Sequence, residues 1–291
     1  MRTLILLFIT TLYLGASSGF VTPKELESQL NDNNLVLIDV TDKATYNLGH
    51  LPNAVLANVA ELRMNVQKHQ LMKPSAEIEL IARSLGINND SKIIIYGHGK
   101  DKELLKSSYL ALALILNGAK DVSILDGQYK DFTHKFNHLT DNSKIKPGNF
   151  TAIFNPDIIV DLKYVESHIG KTPMLEARAP EFYYGTAQSG GVERLGHISQ
   201  AMSSFWKDKF NKDETLRSKE DLDAIFLKGY ALQQDKEVIL YCTGGLEASM
   251  NWYILYQNMG FKKAKIYDAS MREWGNTKST PMRTFQWEMF K

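Results

Sequence analysis

The sequence contains one cysteine, Cys242, at a position where sulfur chemistry is possible. It directly follows a strand predicted at 237–241, whose last four residues are an apolar run, and it opens a loop that contains Gly244 and Gly245. Successive N–H groups of a glycine-rich loop can turn toward one anion, and the helix predicted at 248–258 adds positive partial charge at its start. Both effects favour the thiolate, which is the nucleophilic form of cysteine.

A structural role is the alternative for Cys242. A lone cysteine in a globular protein is commonly buried and inert. One thiol also excludes an intramolecular disulfide, so the fold must be stable through its core alone. Ligands of parallel α/β sheets collect at the carboxyl ends of strands, which is the position of Cys242 and which favours the chemical interpretation.

The two halves of the sequence repeat one order of elements, which indicates a duplicated unit. The matching segments are 35–40 with 174–178, 49–54 with 196–201, 93–96 with 238–241, and 118–126 with 260–268. Each half has the order strand, irregular segment, helix, strand, loop, helix, strand, which predicts an α/β unit with a mainly parallel sheet flanked by helices. The polar stretch 140–149 is the predicted linker, and the predicted domains are 20–150 and 151–291.

This duplicated chain resembles the rhodanese family, specifically the tandem-domain thiosulfate and 3-mercaptopyruvate sulfurtransferases. The resemblance spans about 21–282. Four motifs carry it: the Cys-x-x-Gly loop at Cys242 and Gly245, Glu176 and Arg178 where the family has Asp-x-Arg, Gly-His-Ile at 196–198, and the ending at 267–274. It implies two rhodanese-like domains and ping-pong transfer. Cys242 would accept sulfane sulfur from a small anionic donor and pass it to a thiol, cyanide or protein acceptor.

Donor binding is predicted for residues around this loop. In the family, the arginine that matches Arg178 reaches the anionic group of the donor, and a guanidinium suits this because its fork of N–H groups binds two oxygens at once. The predicted substrate-binding set is Arg178, Arg194, Thr243, Gly244, Gly245, Leu246, Glu247 and Trp274. The alternatives are an ion pair of Arg178 with Glu181 or Glu193, a solvated Arg194, and plain core packing of Trp274.

Glu247 departs from the active loops of the family. Thiosulfate-type members tend to carry basic residues there, and mercaptopyruvate-type members have Gly-Ser-Gly-Val-Thr after the cysteine. A carboxylate near the sulfur raises the pKa of the thiol and repels an anionic donor. Thiosulfate turnover is therefore expected to be weak, unless Glu247 points outward or pairs with Arg178 or Arg272.

The first half lacks a nucleophile at the matching position, where Gly97 stands in place of Cys242. This half is therefore expected to support the second by packing rather than by chemistry. His98, which follows Gly97, is interpreted as structural or solvated. His50 and His197 recur in both halves, including the half without a nucleophile, so they are interpreted as residues that hold the fold.

Composition and spacing argue against several other functions. Lys and Arg number 34 and Asp and Glu 33, for a formal net charge of +1, so the basic stripe of a nucleic-acid-binding protein is not expected. The histidines and the lone cysteine lack metal-ligand spacing, and no metal or organic cofactor is expected. A phosphatase of related fold would need arginine six residues after Cys242, where Ala248 stands. The remaining rival is a non-catalytic binding or sulfur-carrier protein on the same scaffold.

The first 19 residues have the pattern of a secretory signal peptide. Arg2 precedes an apolar run at 4–14, and small residues follow at 15–19. The run is shorter than the roughly 20 residues that a membrane-spanning helix needs. The chain is therefore expected to be exported, to the periplasm if the source is bacterial, without membrane contact after cleavage. A buried N-terminal helix is the alternative.

We expect the exported protein to begin between residues 17 and 20, because cleavage of such leaders follows the small-residue tract. N-terminal sequencing of native material measures this directly. A mature protein that retains Met1 would contradict the expectation.

Overall fold

The computed structural model describes residues 19–99, 101–127 and 145–285. Residues 1–18 of the expected signal peptide and 140–144 of the expected linker lie outside these ranges. No helix within the ranges is both long enough and apolar enough to span a membrane.

The first half is built on a five-stranded, fully parallel sheet. Its strands are β1 (Phe20–Val21), β2 (Leu35–Asp39), β3 (Val55–Leu56), β6 (Lys92–Tyr96) and β7 (Asp121–Leu125), in the order β1-β7-β6-β2-β3; β4 (Arg63–Val66) and β5 (His69–Met72) form a separate antiparallel hairpin. The helices are α1 (Pro23–Gln29), α2 (Lys43–Leu48), α3 (Ser75–Ser84) and α4 (Asp101–Leu116).

The second half repeats this plan on a four-stranded parallel sheet. Its strands are β8 (Met174–Glu176), β10 (Met202–Ser203), β11 (Val238–Tyr241) and β12 (Ala264–Ile266), in the order β10-β8-β11-β12, and β9 (His197–Ile198) pairs antiparallel with β13 (Met282–Arg283). The helices are α5 (Leu162–His168), α6 (Pro180–Tyr184), α7 (Lys219–Asp223), α8 (Leu246–Tyr253) and α9 (Ser270–Trp274). Two parallel sheets flanked by helices confirm the predicted fold class.

Burial explains why the central strands are almost wholly apolar. Every residue of β11 is buried, as expected for a parallel strand that is covered on both faces. The same holds for the last four residues of β6, the matching strand in the first half. Position at the carboxyl end of β11 therefore places Cys242 at the edge of a rigid, fully packed sheet.

The two halves pack through α4 and α8, and one apolar core extends across both. The Ser108 and Ser249 hydroxyls lie 2.8 Å apart in this interface. The Tyr253 hydroxyl donates to the Val122 carbonyl at 3.0 Å. These buried polar groups are paired across the interface, so they fix how the two halves meet without the cost of unpaired groups.

Two aspartates at matching repeat positions make reciprocal contacts between the halves. Asp268 accepts the N–H of Met72 at 2.6 Å, and Asp126 accepts the N–H of Leu216 at 2.7 Å. Met72 ends the β4–β5 hairpin, and Leu216 forms an antiparallel bridge with Phe210. Each half thus extends one antiparallel segment onto the other.

The predicted domain boundary near residue 150 falls in a segment, 148–155, that runs along the first half. Gly148 donates its N–H to Arg83 O at 2.8 Å, and Phe150 to Ile87 O at 3.1 Å. Phe150 is buried in the core.

His50 and His197 occupy equivalent places in the two halves. The ring of each stacks on a tyrosine, Tyr46 or Tyr183, with centroids 3.8 Å apart in both cases. Each Nδ1 lies within hydrogen-bond distance of that tyrosine's carbonyl, at 3.0 Å and 2.8 Å, and each tyrosine hydroxyl donates to a further backbone carbonyl. These contacts match the interpretation of both histidines as residues that hold the fold.

Lys209 is a buried lysine, with only 1% of its surface exposed. Its Nζ donates to Ser204 Oγ at 2.9 Å and to Phe205 O at 2.7 Å, and it lies 5.5 Å from the centroid of the Phe226 ring. Burial lowers the pKa of Lys209 to about 7. The folded state therefore disfavours the charged amine.

This burial predicts a pH-dependent stability. The folded pKa of Lys209 is about 7, below the unfolded value of about 10.4. Between these values the unfolded chain binds more protons, so stability should increase with pH by up to about 1.4 kcal/mol per unit and level off below pH ~7. Lys209→Met should remove this slope, and the exposed control Lys212→Met should keep it. Urea unfolding at pH 7, 8 and 9 tests both; equal slopes in the two variants would refute it.

Candidate functional site

The loop that follows β11 holds the Cys242 sulfur in a fully buried position. Cys242 Sγ accepts the N–H of Gly245 at 3.1 Å, and Ser270 Oγ lies 4.0 Å from it. Ser270 Oγ also accepts the N–H of Cys242 at 3.0 Å. The helix begins at Leu246, two residues earlier than predicted, and its first turn lies directly beside the sulfur.

Gly245 occupies a place that no other residue can fill without movement. Its φ is +92°, and a Cβ there would lie 2.2 Å from Asp268 Oδ1. Asp268 is buried, and its two oxygens accept the Tyr109 hydroxyl at 3.1 and 3.2 Å. Burial raises the pKa of Asp268, and the Arg63 guanidinium opposes that rise. The active loop therefore rests on a carboxylate that is tied to the first half.

The thiol, not the thiolate, is the resting form of Cys242. Burial raises the pKa of the thiol well above its usual range, and the Glu247 carboxylate raises it further through its charge and as a hydrogen-bond partner. The N–H groups of Ala248 and Gly244 lower this pKa by less than burial and Glu247 raise it. The thiolate that the glycine loop was predicted to favour is therefore not the favoured form. Within the described ranges, Glu247 forms no ion pair, so neither Arg178 nor Arg272 neutralises it.

A groove of about 350 Å³ lies over the active loop. Of the predicted substrate-binding residues, four line it: Thr243, Gly244, Leu246 and Glu247. Cations also line it, namely Arg63, Lys102, Lys106 and Arg272. Several cations around one carboxylate give the groove a positive potential, which attracts small anions. The loop backbone separates the groove from the sulfur beneath.

Arg63 is a site residue that the sequence did not reveal. It lies in β4 of the first half, 181 residues before Gly244, and its Nη2 donates to the Gly244 carbonyl. Its guanidinium also lies over the Tyr109 ring, 5.0 Å from the centroid. The support that the first half was expected to give therefore includes a charged contact, because this half supplies Arg63 to the active loop and groove.

Arg178 belongs to a buried ion pair and does not line the groove. It is 2% exposed, its Nε pairs with Glu176, and its Nη2 donates to Gly196 O at 2.8 Å. Residues two apart in an extended chain project to the same side, which brings these two together. The predicted donor contact is thus not supported. The ion-pair alternative holds, with Glu176 as the partner instead of Glu181 or Glu193.

Arg194 and Trp274 also have structural positions. The Arg194 guanidinium donates to the carbonyls of Trp274, Gly275 and Thr280, at 2.7, 3.0 and 2.8 Å. A cation at the end of α9 satisfies carbonyls that the helix leaves unpaired. Trp274 is fully buried, and its indole N–H donates to Pro281 O at 3.1 Å. Arg194 is partly buried, binds these carbonyls and does not line the groove, and Trp274 packs in the core.

The matching loop of the first half has no space for a nucleophile. A Cβ at Gly97 would lie 2.5 Å from the Glu103 Cβ. The Glu103 carboxylate accepts the His98 N–H at 2.7 Å, and His98 Nε2 lies 3.0 Å from Asp39 Oδ2. Asp39 is fully buried and also accepts both the N–H and the hydroxyl of Thr41. His98 therefore has the structural role expected of it.

Comparison with known families identifies the repeated unit. The sequence profile of the Rhodanese-like domain matches residues 22–135 and again 161–277. The 3-mercaptopyruvate sulfurtransferase of Escherichia coli is 29% identical over 94% of this chain and 98% of its own. The thiosulfate sulfurtransferase of Corynebacterium glutamicum is 25% identical over 91% of this chain and 90% of its own. The sulfur carrier protein TtuD of Thermus thermophilus is 27% identical over 91% and 98%.

Solved structures share the fold at lower identity. The crystal structure of YnjE superposes with a TM-score of 0.78, at 19% identity over 92% of this chain and 69% of that chain. Wild-type EanB superposes with a TM-score of 0.76, at 18% identity over 87% of this chain. This chain spans 64% of EanB, and the similarity to both structures concerns the fold alone.

The two loop glycines form a matched pair for testing the site. Gly245→Ala should lower the free energy of unfolding by about 1–3 kcal/mol, because the new methyl group meets Asp268 at a positive φ. Gly244→Ala should change it by less than about 1 kcal/mol, because its Cβ would come no closer than 3.4 Å, to the Arg272 side chain. Denaturant unfolding measures both. Equal losses would show that the Asp268 contact does not fix the loop.

Proposed function

The chain belongs to the family of proteins built from rhodanese-like domains, and we propose that it is a sulfurtransferase that carries sulfane sulfur as a persulfide on Cys242. Relatives named thiosulfate and 3-mercaptopyruvate sulfurtransferase, which match over most of the chain, support the reaction class. The observation that carries the proposal is the Gly245 N–H at 3.1 Å from Cys242 Sγ, in a loop beneath a cationic groove. An N–H in this place can bind the negative charge that develops on sulfur.

The reaction has two half-steps. In the first, the Cys242 thiol loses its proton and the sulfur attacks the sulfane sulfur of the donor. A new S–S bond forms, and the old bond breaks with its electron pair remaining on the donor remnant. In the second, a thiol, cyanide or protein acceptor attacks the outer sulfur and regenerates Cys242. The cations of the groove favour a small anionic donor.

A sulfur-carrier role is the second candidate. Complete burial of Cys242 and the raised pKa of its thiol both slow attack on a donor, and they would protect a persulfide once it has formed. A relative is named a sulfur carrier protein. The two functions differ in turnover: a carrier is loaded once and releases sulfur only to a partner, whereas a sulfurtransferase consumes many donor molecules per chain with a small acceptor.

We also propose that the chain acts outside the cytoplasm, in the periplasm if its source is bacterial. The support is the apolar run at 4–14 after Arg2, followed by small residues at 15–19. The strand β1 begins at Phe20 and pairs with β7, so removal of a leader that ends before it leaves the sheet complete.

Sulfur loading tests the proposed function. Incubation with a sulfane donor should add about 32 Da per sulfur atom to the chain, and cyanide should remove it. Cys242→Ser should gain no mass and lose all transfer, because a hydroxyl is a far weaker sulfur acceptor, while its unfolding curve should stay close to that of the parent. Intact mass, thiocyanate release and unfolding curves measure the three quantities. Transfer that persists in Cys242→Ser would refute the assignment.

A further inference from the structure

We propose that Glu247 accepts the proton of the Cys242 thiol and later returns it to the leaving group, and that a thiol persulfide rather than thiosulfate is therefore the preferred sulfur donor. This inference rests on the proposed function and deepens it. It assigns a catalytic residue and a donor class to the same site.

The position of Glu247 suits a proton carrier. It lies in the first turn of α8, five residues after Cys242, and lines the groove while the sulfur is buried beneath. Its carboxylate is half-buried and has no ion-pair partner among the described residues. Glu247 is a hydrogen-bond partner of the Cys242 thiol and also lines the groove. Such a carboxylate can exchange a proton with the thiol on one side and with a bound molecule on the other.

The other groups near the sulfur cannot take its proton. Gly245 presents only an N–H, and the Ser270 hydroxyl donates to Tyr267 O at 2.6 Å. Glu176 is fully buried, pairs with Arg178 and accepts the Tyr241 hydroxyl. Asp268, which lies against Gly245, already accepts the Met72 N–H and the Tyr109 hydroxyl. Since the buried thiol must be deprotonated before it attacks, Glu247 is the acceptor that remains among these described groups.

With a persulfide donor, R–S–SH, one proton moves from Cys242 to Glu247 and then to the leaving thiolate. Glu247 takes the thiol proton, and the Cys242 thiolate attacks the outer sulfur of the donor. The new bond gives Cys242–S–SH, and the S–S bond of the donor breaks with its electron pair on R–S⁻. Glu247 then returns the proton to give R–SH. The net change is exchange of one sulfur atom, with no oxidant, reductant or further proton consumed.

Thiosulfate uses this proton carrier in only one of the two steps. The Cys242 thiol must still lose its proton to Glu247, but the leaving group, sulfite, departs as a stable anion and needs no proton from the site. A thiolate is a strong base, with a usual pKa of about 8.5, and leaves more readily when it is protonated. The negative charge of Glu247 also repels the thiosulfate dianion. The carboxylate thus assists both steps with a persulfide, whereas with thiosulfate it assists one step and opposes binding.

The charged groups that surround Glu247 come from four elements. They are Arg63 of β4, Lys102 and Lys106 of α4, Arg272 of α9, and, beneath the loop, Glu176 and Arg178 at the end of β8. The carboxylates in this set are Glu247 and Glu176, and Glu176 is held in its ion pair. A loss of activity at low pH that disappears in Glu247→Gln is therefore caused by protonation of Glu247.

The experiment compares two donors across three variants of the full chain. Glu247→Gln keeps the shape without the base, Glu247→Asp keeps a carboxylate, and Glu220→Gln is a control on the exposed surface of α7. Donors are glutathione persulfide and thiosulfate, with cyanide as the acceptor. With the persulfide, Glu247→Gln should lower kcat/KM by about 100-fold and lose the acid limb of the pH profile. With thiosulfate, it should lower kcat/KM by only about tenfold, because relief of charge repulsion offsets part of the loss of the base.

Further outcomes separate this inference from the proposed function. Glu247→Asp should recover part of the persulfide rate and the acid limb, and Glu220→Gln should match the parent with both donors. If Glu247→Gln lowers kcat/KM by the same factor for both donors, or keeps the acid limb, the inference is wrong while a Cys242 persulfide still stands. If Cys242→Ser still transfers sulfur from the persulfide, the proposed function itself is wrong.

Discussion

The buried Asp268 carboxylate is the point at which the two halves and the active loop meet. It accepts the Met72 N–H and the Tyr109 hydroxyl from the first half, and Gly245 of the loop lies directly against it. A buried carboxylate is stable only when its oxygens are paired, so these contacts must form together. The position of the sulfur therefore depends on the interface between the halves as well as on its own domain.

Positively charged residues line the groove of the site, and a negatively charged residue lies near the sulfur. This distribution of charge affects which molecules the site can bind. Cations line the groove, while the Glu247 carboxylate lies close to the thiol. In the proposed reaction, the cations would attract an anionic molecule at long range, and its reacting end would then meet the carboxylate. Attraction of the donor and transfer of the proton would thus belong to different residues.

The sequence predicted the parts of the molecule that depend on local pattern. Apolar runs with turn residues between them identified both parallel sheets and the glycine loop around Cys242, because burial and glycine conformation are encoded within a few residues. The sequence did not reveal Arg63, because its contact with Gly244 joins residues 181 apart. It also could not show that Arg194 binds the carbonyls at the end of α9, since a side chain's partners are set by tertiary packing.

The reciprocal contacts of Asp126 and Asp268 have the form of an isologous dimer interface contained within one chain. In such an arrangement each active loop is completed by the neighbouring unit, as Arg63 of the first half completes the loop of Cys242. A half without a nucleophile is then still necessary. It acts like a partner subunit that is covalently attached and therefore present at a fixed effective concentration. A site formed by residues of both halves then assembles without the association of two chains.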